Sequence, residues 1–337
     1  MNIYDISSQA GVSIATVSRV LNGSEKVSPA TRQKVLDVIE KNGYTPNAFA
    51  RSLSSNTMST VGILCSDASD VYQAQAIYYL EGELRRQSYT SMLCCTGHAL
   101  SEKADYLQLL LSRNVDALFL IGSHFVESTK RGNSYILNAA KRVPVFLLNG
   151  KLIGDNIFSI LCDDESASRD ITNLLFDRGA RSPIYLYRAL NYSGRRKIRG
   201  FCAASRARGI TGADKLTFSC PGPVEQTCRI LESIRKKGIS FDAVAAADDE
   251  LATGAVKYAL RNSMRIPEDF QVTGYNHSVL ATCSTPEITT LDNRVEYMCT
   301  TAVNEMMQVL DHKNVPPITS FSGSIIEYAS TRKEKED

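Results

Sequence analysis

The chain has 337 residues, 43% hydrophobic and 22% charged, and its 38 basic and 36 acidic side chains leave a net charge of +2. That composition fits a globular protein of two or three domains, and it excludes a strongly basic binder that holds any nucleic acid through phosphate neutralisation alone. No apolar run reaches membrane-spanning length, the start MNIYDISSQA carries no secretory pattern, and the nine cysteines form no C-x-x-C, so a cytoplasmic chain with free thiols, no metal, no cofactor and no membrane partner is expected.

The first elements read as helices. Ile3, Ile6 and Ala10 mark one face of a short helix that ends in the turn Gly11-Val12-Ser13. In GVSIATVSRVLNG (11–23) the β-branched residues suggest a strand, but Val17, Val20 and Leu21 are spaced i, i+3, i+4, which makes one apolar face on a helix. Ser13 is its N-cap and Gly23 its stop. Ser28-Pro29 opens a third helix, ATRQKVLDVIEKN, whose predicted buried stripe is Val35, Leu36 and Ile39. Three short helices with a glycine turn between the first two form a helix-turn-helix.

The outer face of the second helix carries Ser13, Ile14, Ala15, Thr16, Ser18, Arg19 and Asn22. In a helix-turn-helix this face lies in the DNA major groove. Arg19 can donate two bonds to guanine O6 and N7, Thr16, Ser18 and Asn22 suit phosphates or base edges, and Ile14 and Ala15 suit a thymine methyl. An ordinary three-helix domain with a wet polar face is the competing reading.

From Thr60 onward, apolar runs (VGILC, TSMLCC, ALFLI, VPVFLL, FSILC, PIYLY, DAVAAA and QVTGY) alternate with amphipathic helical segments. Runs without polar alternation, separated by helices, predict parallel sheets covered on both faces. About nine strands are more than one such sheet usually holds, so two doubly wound α/β subdomains are expected. Ligands bind such folds beyond the carboxyl ends of the strands. Polar residues there are Asp67, Ser69 and Tyr72, then Ser123 and His124, Asn149, Asp163, Asp248 and Asn276. Amides and carboxylates that pair with vicinal hydroxyls suit a sugar, with Tyr72, Phe125, Tyr192 or Phe218 as its aromatic face. The chain has no G-x-S-x-G, Walker loop, H-E-x-x-H or dinucleotide fingerprint, and its four histidines share no ligand spacing. Catalysis is therefore not expected, although a sugar-binding or sugar-processing protein whose first helices do not read DNA is the alternative.

IYDISSQAGVSIATVSRVLNG and VSPATRQKVLDVIEKNGYTPNAFARSL resemble, almost continuously from Ile3 to Leu53, the amino-terminal signature of lactose/galactose-repressor (LacI/GalR) transcription factors. DAVAAADDELATGAVKYAL, IPEDFQVTGYN and TPEITTLDN extend the likeness into a core similar to periplasmic sugar-binding proteins. The resemblance implies a helix-turn-helix domain over 1–46 and a hinge helix and linker over 47–59. Asn47, Ala50 and Leu53 would then meet the minor groove, where an apolar wedge bends DNA. It implies an effector-binding and dimerisation core over 60–330, with subdomains 60–161 plus 292–321 and 162–291 plus 322–330, and a polar tail over 331–337. The family often has Asp at the positions of Asn149 and Asn276, and Arg at that of Lys197, which makes Lys197 a candidate effector contact. An amide-lined site beside Arg195, Arg196 and Lys197 would suit a sugar acid or sugar phosphate. The function implied is a repressor that binds operator DNA as a homodimer and is switched by a sugar-like effector. TRKEKED has no apolar heptads, so a tetramer-forming coiled coil is not expected.

Overall fold

The computed structural model describes residues 2–21, 24, 26–43 and 58–334. It divides into two compact units, Met1–Thr60 with Asn114–Asp116, and Val61–Arg113 with Ala117–Asp337.

In the first unit, α1 (Ile3–Ala10), α2 (Ile14–Leu21) and α3 (Pro29–Lys41) form as the capping signals dictate. Asn2 caps α1, and Gly11 ends it in the left-handed region at φ 62°, where a side chain would be strained. Ser28 caps α3 by accepting the Thr31 N–H, with Pro29 at the first helical position. Ile6, Ala10, Val17, Val20 and Val35 are buried together. Leu36 departs from the expected stripe, being 41% exposed, while Val38 packs on the core beside Ile39. The reason is angular: from Val35, positions three and four residues on share its face, whereas the next residue is turned about 100° away. The candidate contacts Asn22, Asn47, Ala50 and Leu53, and the Gly23 stop, lie outside the described residues.

The second unit holds two six-stranded sheets. The first contains β1 (Thr60–Cys65), β2 (Thr90–Cys95), β3 (Ala117–Ile121), β4 (Val145–Leu148), β5 (Ile157–Cys162) and β11 (Ile318–Phe321), in the order β11-β5-β4-β3-β1-β2. The second contains β6 (Pro183–Tyr187), β7 (Thr217–Ser219), β8 (Ala243–Ala246), β9 (Gln271–Tyr275), β10 (Thr289–Asp292) and β12 (Ser324–Ile326), in the order β12-β10-β9-β8-β6-β7. β10 and β12 pair antiparallel, whereas β1–β3–β4–β5–β11 and β7–β6–β8–β9–β10 pair parallel. Between the strands run α4 (Val71–Arg86), α5 (Leu100–Ser112), α6 (Ser134–Ala140), α7 (Asp164–Asp177), α8 (Tyr192–Ala207), α9 (Val224–Lys236), α10 (Asp249–Arg261), α11 (Val279–Cys283) and α12 (Val295–Leu310).

Strand order shows that the chain passes from one sheet to the other after β5, after β10 and between β11 and β12. α12 packs against α4, beside the first sheet. β7, β10, β11 and β12 were not among the apolar runs. They read TFS, TTLD, ITSF and SII, three or four residues each, and three of them are only partly buried. Such segments are extended by their ladder partners rather than by their own pattern. No helix among the described residues is long and apolar enough to cross a membrane.

Candidate functional sites

On α2, burying Val17 and Val20 turns Ser13, Ile14, Ala15 and Arg19 outward, with Thr16 and Ser18 half-buried. Ser13 Oγ accepts the Thr16 N–H at 3.1 Å and lies 2.9 Å from Thr16 Oγ1, so these two hydroxyls also hold the helix start. The Arg19 carbonyl accepts the Ser24 N–H at 2.9 Å, but its guanidinium has no hydrogen-bond or ionic partner among the described residues. The outward face of the helix therefore presents small side chains at its start and one free guanidinium in its last turn, a surface that can press closely against a groove.

In the second unit, strand-end residues from both sheets meet at a cleft. Asn149, in left-handed backbone just after β4, donates from Nδ2 to Tyr72 Oη at 3.0 Å and accepts the Cys162 N–H on Oδ1 at 3.1 Å. At the end of β5, Cys162 Sγ lies 3.7 Å from Tyr275 Oη of the second sheet. Tyr275 donates to the buried Asp164 at 2.7 Å. A polar line thus runs Tyr72–Asn149–Cys162–Tyr275–Asp164 from one sheet to the other. Lys197, only 8% exposed, donates to the Ala247 carbonyl at 2.9 Å, and its Nζ sits 3.4 Å from the centre of the Tyr275 ring. Burial pushes its pKa down, against the opposing pull of Asp164 and Asp248.

Asp248 caps α10 through the Leu251 N–H and is gripped by Arg188, whose Nε donates at 2.7 Å. Arg188 also reaches Glu250 at 2.6 Å and the Gly222 carbonyl at 2.7 Å. Asp70, which caps α4 beside the first sheet, has its pKa raised by burial and further by Asp248 across the cleft. Asp163 caps α7 and accepts from Arg196 at 2.8 Å. Burial works against its ionised form, but the Arg196 bond and helix-start N–H groups hold its carboxyl below the usual range.

The remaining sequence candidates have plainer settings. Ser69 donates to Asp67 in an exposed turn, Ser123 is buried, and His124 gives its carbonyl to Lys103. Burial, helped by Lys103, pushes the His124 imidazole down to about 3, so it is neutral. Asn276 accepts from Asn293 at 2.9 Å and is set apart from Asn149 and Lys197 in its contacts. Phe125 is buried in the core, and Phe218 packs against the second sheet's core.

The basic cluster at 195–197 does not gather around an open anion site. Arg196 is paired with Asp163, Lys197 lies over Tyr275, and Arg195 is exposed. The expected preference for an acidic sugar therefore loses its structural basis. Sequence reasoning also missed Arg188, although it follows PIYLY directly and the strand-end rule would have found it. Asp249 was missed too. It is 1% exposed and accepts the Ser278 N–H at 2.6 Å and the Thr290 hydroxyl at 2.5 Å. A Cβ on Gly274 would stand 2.2 Å from its Oδ1, so only glycine lets β9 pass there. Burial raises the Asp249 pKa to about 6 against those hydrogen bonds. Nothing local marks it, because its partners come from other elements.

Residues 2–47 match the profile of bacterial regulatory proteins of the lacI family, and residues 172–331 match a periplasmic binding protein-like domain. An HTH-type transcriptional regulator of Lachnoclostridium phytofermentans is 46% identical over 331 residues, 98% of this chain and 99% of its own. Catabolite control protein A of Staphylococcus xylosus is 29% identical over 99% of both chains. Among solved structures, the lac repressor dimer bound to operator and the anti-inducer ONPF superposes with a TM-score of 0.88 at 21% identity, covering 99% of both chains. A complex of the transcriptional regulator CelR with cellobiose gives 0.72 at 22% identity, covering 98% of this chain and 99% of that one.

Proposed function

The chain belongs to the lacI family of bacterial regulatory proteins and is a DNA-binding transcriptional regulator rather than an enzyme, and from that premise we propose that it is a homodimeric repressor switched by a neutral sugar held in the cleft. The observation that carries the reading is the polar line from Tyr72 to Asp164, which joins the two sheets through side chains a ligand hydroxyl could replace. Both cleft guanidinium groups are already matched, Arg188 by Asp248 and Glu250, Arg196 by Asp163, and the buried Lys197 is occupied by the Ala247 carbonyl and the Tyr275 ring. Asp70 adds a further carboxyl, so the surroundings favour hydroxyls over an anionic group. Two copies would present two recognition helices to a near-palindromic operator. The sugar changes operator affinity by as much as it distinguishes the two subdomain angles.

The test is direct. A preferred duplex is selected from random DNA with the full-length chain, and its mobility shift is titrated with neutral sugars and their uronic acid or phosphate counterparts. A shift changed by a neutral sugar and lost in Asn149→Ala supports the reading. A response to the acidic members alone, or none to any member, overturns it.

A further inference from the structure

A cavity of about 480 Å³ lies where the chain passes between the sheets, within the roughly 300–1,000 Å³ of small-molecule sites. Gln75 and Tyr79 of α4 line one side, Asn276 and His277 follow β9, and Asp292 and Arg294 bridge β10 to α12. Glu296 and Tyr297 of α12 and Ser324 at the start of β12 complete much of the wall. Apart from Asn276, none of the cleft candidates Tyr72, Asn149, Asp163, Lys197 and Asp248 borders it.

The wall holds one buried amide oxygen without a donor and rests on a second. Arg294 is held in left-handed backbone at φ 57°, with its N–H donating to Asp292 Oδ1 at 2.7 Å. Such a conformation persists at an arginine only where its surroundings impose it. Gln75 Oε1 is buried with no hydrogen-bond donor. The same holds for Oδ1 of Asn293, 1% exposed, whose amide group donates to the lining residue Asn276. Buried amide oxygens are rarely left without a donor. Asp292 and Glu296 add carboxylates, while Tyr79 and Tyr297 add ring faces. Burial, with Glu296 nearby, raises the Tyr79 pKa, which keeps its hydroxyl a donor. Two carboxylates against the single guanidinium of Arg294 disfavour a phosphate.

We propose that this cavity is a second ligand site, separate from the cleft, for a neutral saccharide of one or two rings. Hydroxyl pairs would donate to Asp292, Glu296 and Gln75 while a sugar face lies on a tyrosine. Because two of the three sheet-to-sheet passages line the cavity, an occupant fixes the angle between the subdomains and so the state of the regulator. The proposal does not depend on the cleft binding a sugar.

Calorimetric titration of the full-length chain with glucose, cellobiose, maltose and glucose 6-phosphate tests it. In Asn149→Ala, one binding event for a neutral sugar should survive, and adding Glu296→Gln or Gln75→Leu should weaken that event at least tenfold with the melting temperature unchanged. Glu296 is exposed, so its substitution leaves folding intact. Absence of any surviving event in Asn149→Ala overturns the second site and leaves the cleft reading standing. An event that Glu296→Gln and Gln75→Leu leave unchanged also overturns it, as does tighter binding of glucose 6-phosphate there. Undiminished total binding in Asn149→Ala supports the second site and defeats the cleft instead.

Discussion

The helical unit and the α/β unit treat their functional side chains in opposite ways. On α2 the outward residues are small and exposed, and the Arg19 guanidinium is unengaged among the described residues. In the cleft, Asn149, Tyr275, Lys197 and Asp248 are buried or half-buried and each is already bonded to another part of the chain. A DNA-reading helix has its donors ready before the partner arrives, since water satisfies them meanwhile. A closed cleft has to exchange internal bonds for ligand bonds, so its response is tied to the folding of the core. The two units should therefore fail separately when perturbed.

The largest expected effect tests that separation. Val17→Asp places a carboxylate in a core with five buried side chains among the described residues, at a cost of several kcal/mol, on the order of the whole stability of so small a unit. Mobility shifts should then show no DNA binding, while the α/β unit keeps its urea midpoint. A parallel loss of core stability would show that the units are not independent.

Next comes pH. An unfolded aspartate releases its proton near pH 3.9, whereas folded Asp249 holds it to about 6. Between those values the folded chain binds more protons, so core stability falls as pH rises from about 4 to about 6, by roughly 2–3 kcal/mol in total. Urea denaturation across that window should show the slope, and Asp249→Asn should flatten it. A slope that persists in Asp249→Asn assigns the titration elsewhere.

Arg19→Ala should cost about 1–3 kcal/mol on a selected operator and little on random DNA. Equal loss on both would make Arg19 a phosphate contact. The smallest effect belongs to Arg196→Ala, which breaks a half-exposed pair with Asp163 and should lower core stability by less than about 1 kcal/mol. A larger drop in urea denaturation would mean that this pair is part of the cleft's internal support.

Much of this was readable before any coordinates. Val17, Val20 and Gly11 revealed the helix-turn-helix because burial on a short helix repeats every three or four residues. ALFLI and DAVAAA revealed parallel strands because both faces are covered. Leu36 was misplaced within its stripe, since one residue of angular error moves a side chain from core to solvent. The family likeness added the hinge positions Asn47, Ala50 and Leu53, which periodicity does not single out.

Local pattern thus determined the kind of element at each stretch and where polar strand ends fall, because both depend on neighbours a few residues away. Which polar group meets which was decided only by the tertiary structure. Tyr275 and Asp164 are 111 residues apart, and Arg188 and Asp248 are 60 apart. The same folding matched the cations at 188 and 196 and opened a cavity beside α4 and α12. Charge compensation over such distances depends on how the sheets are wound together, and no spacing along the chain records it.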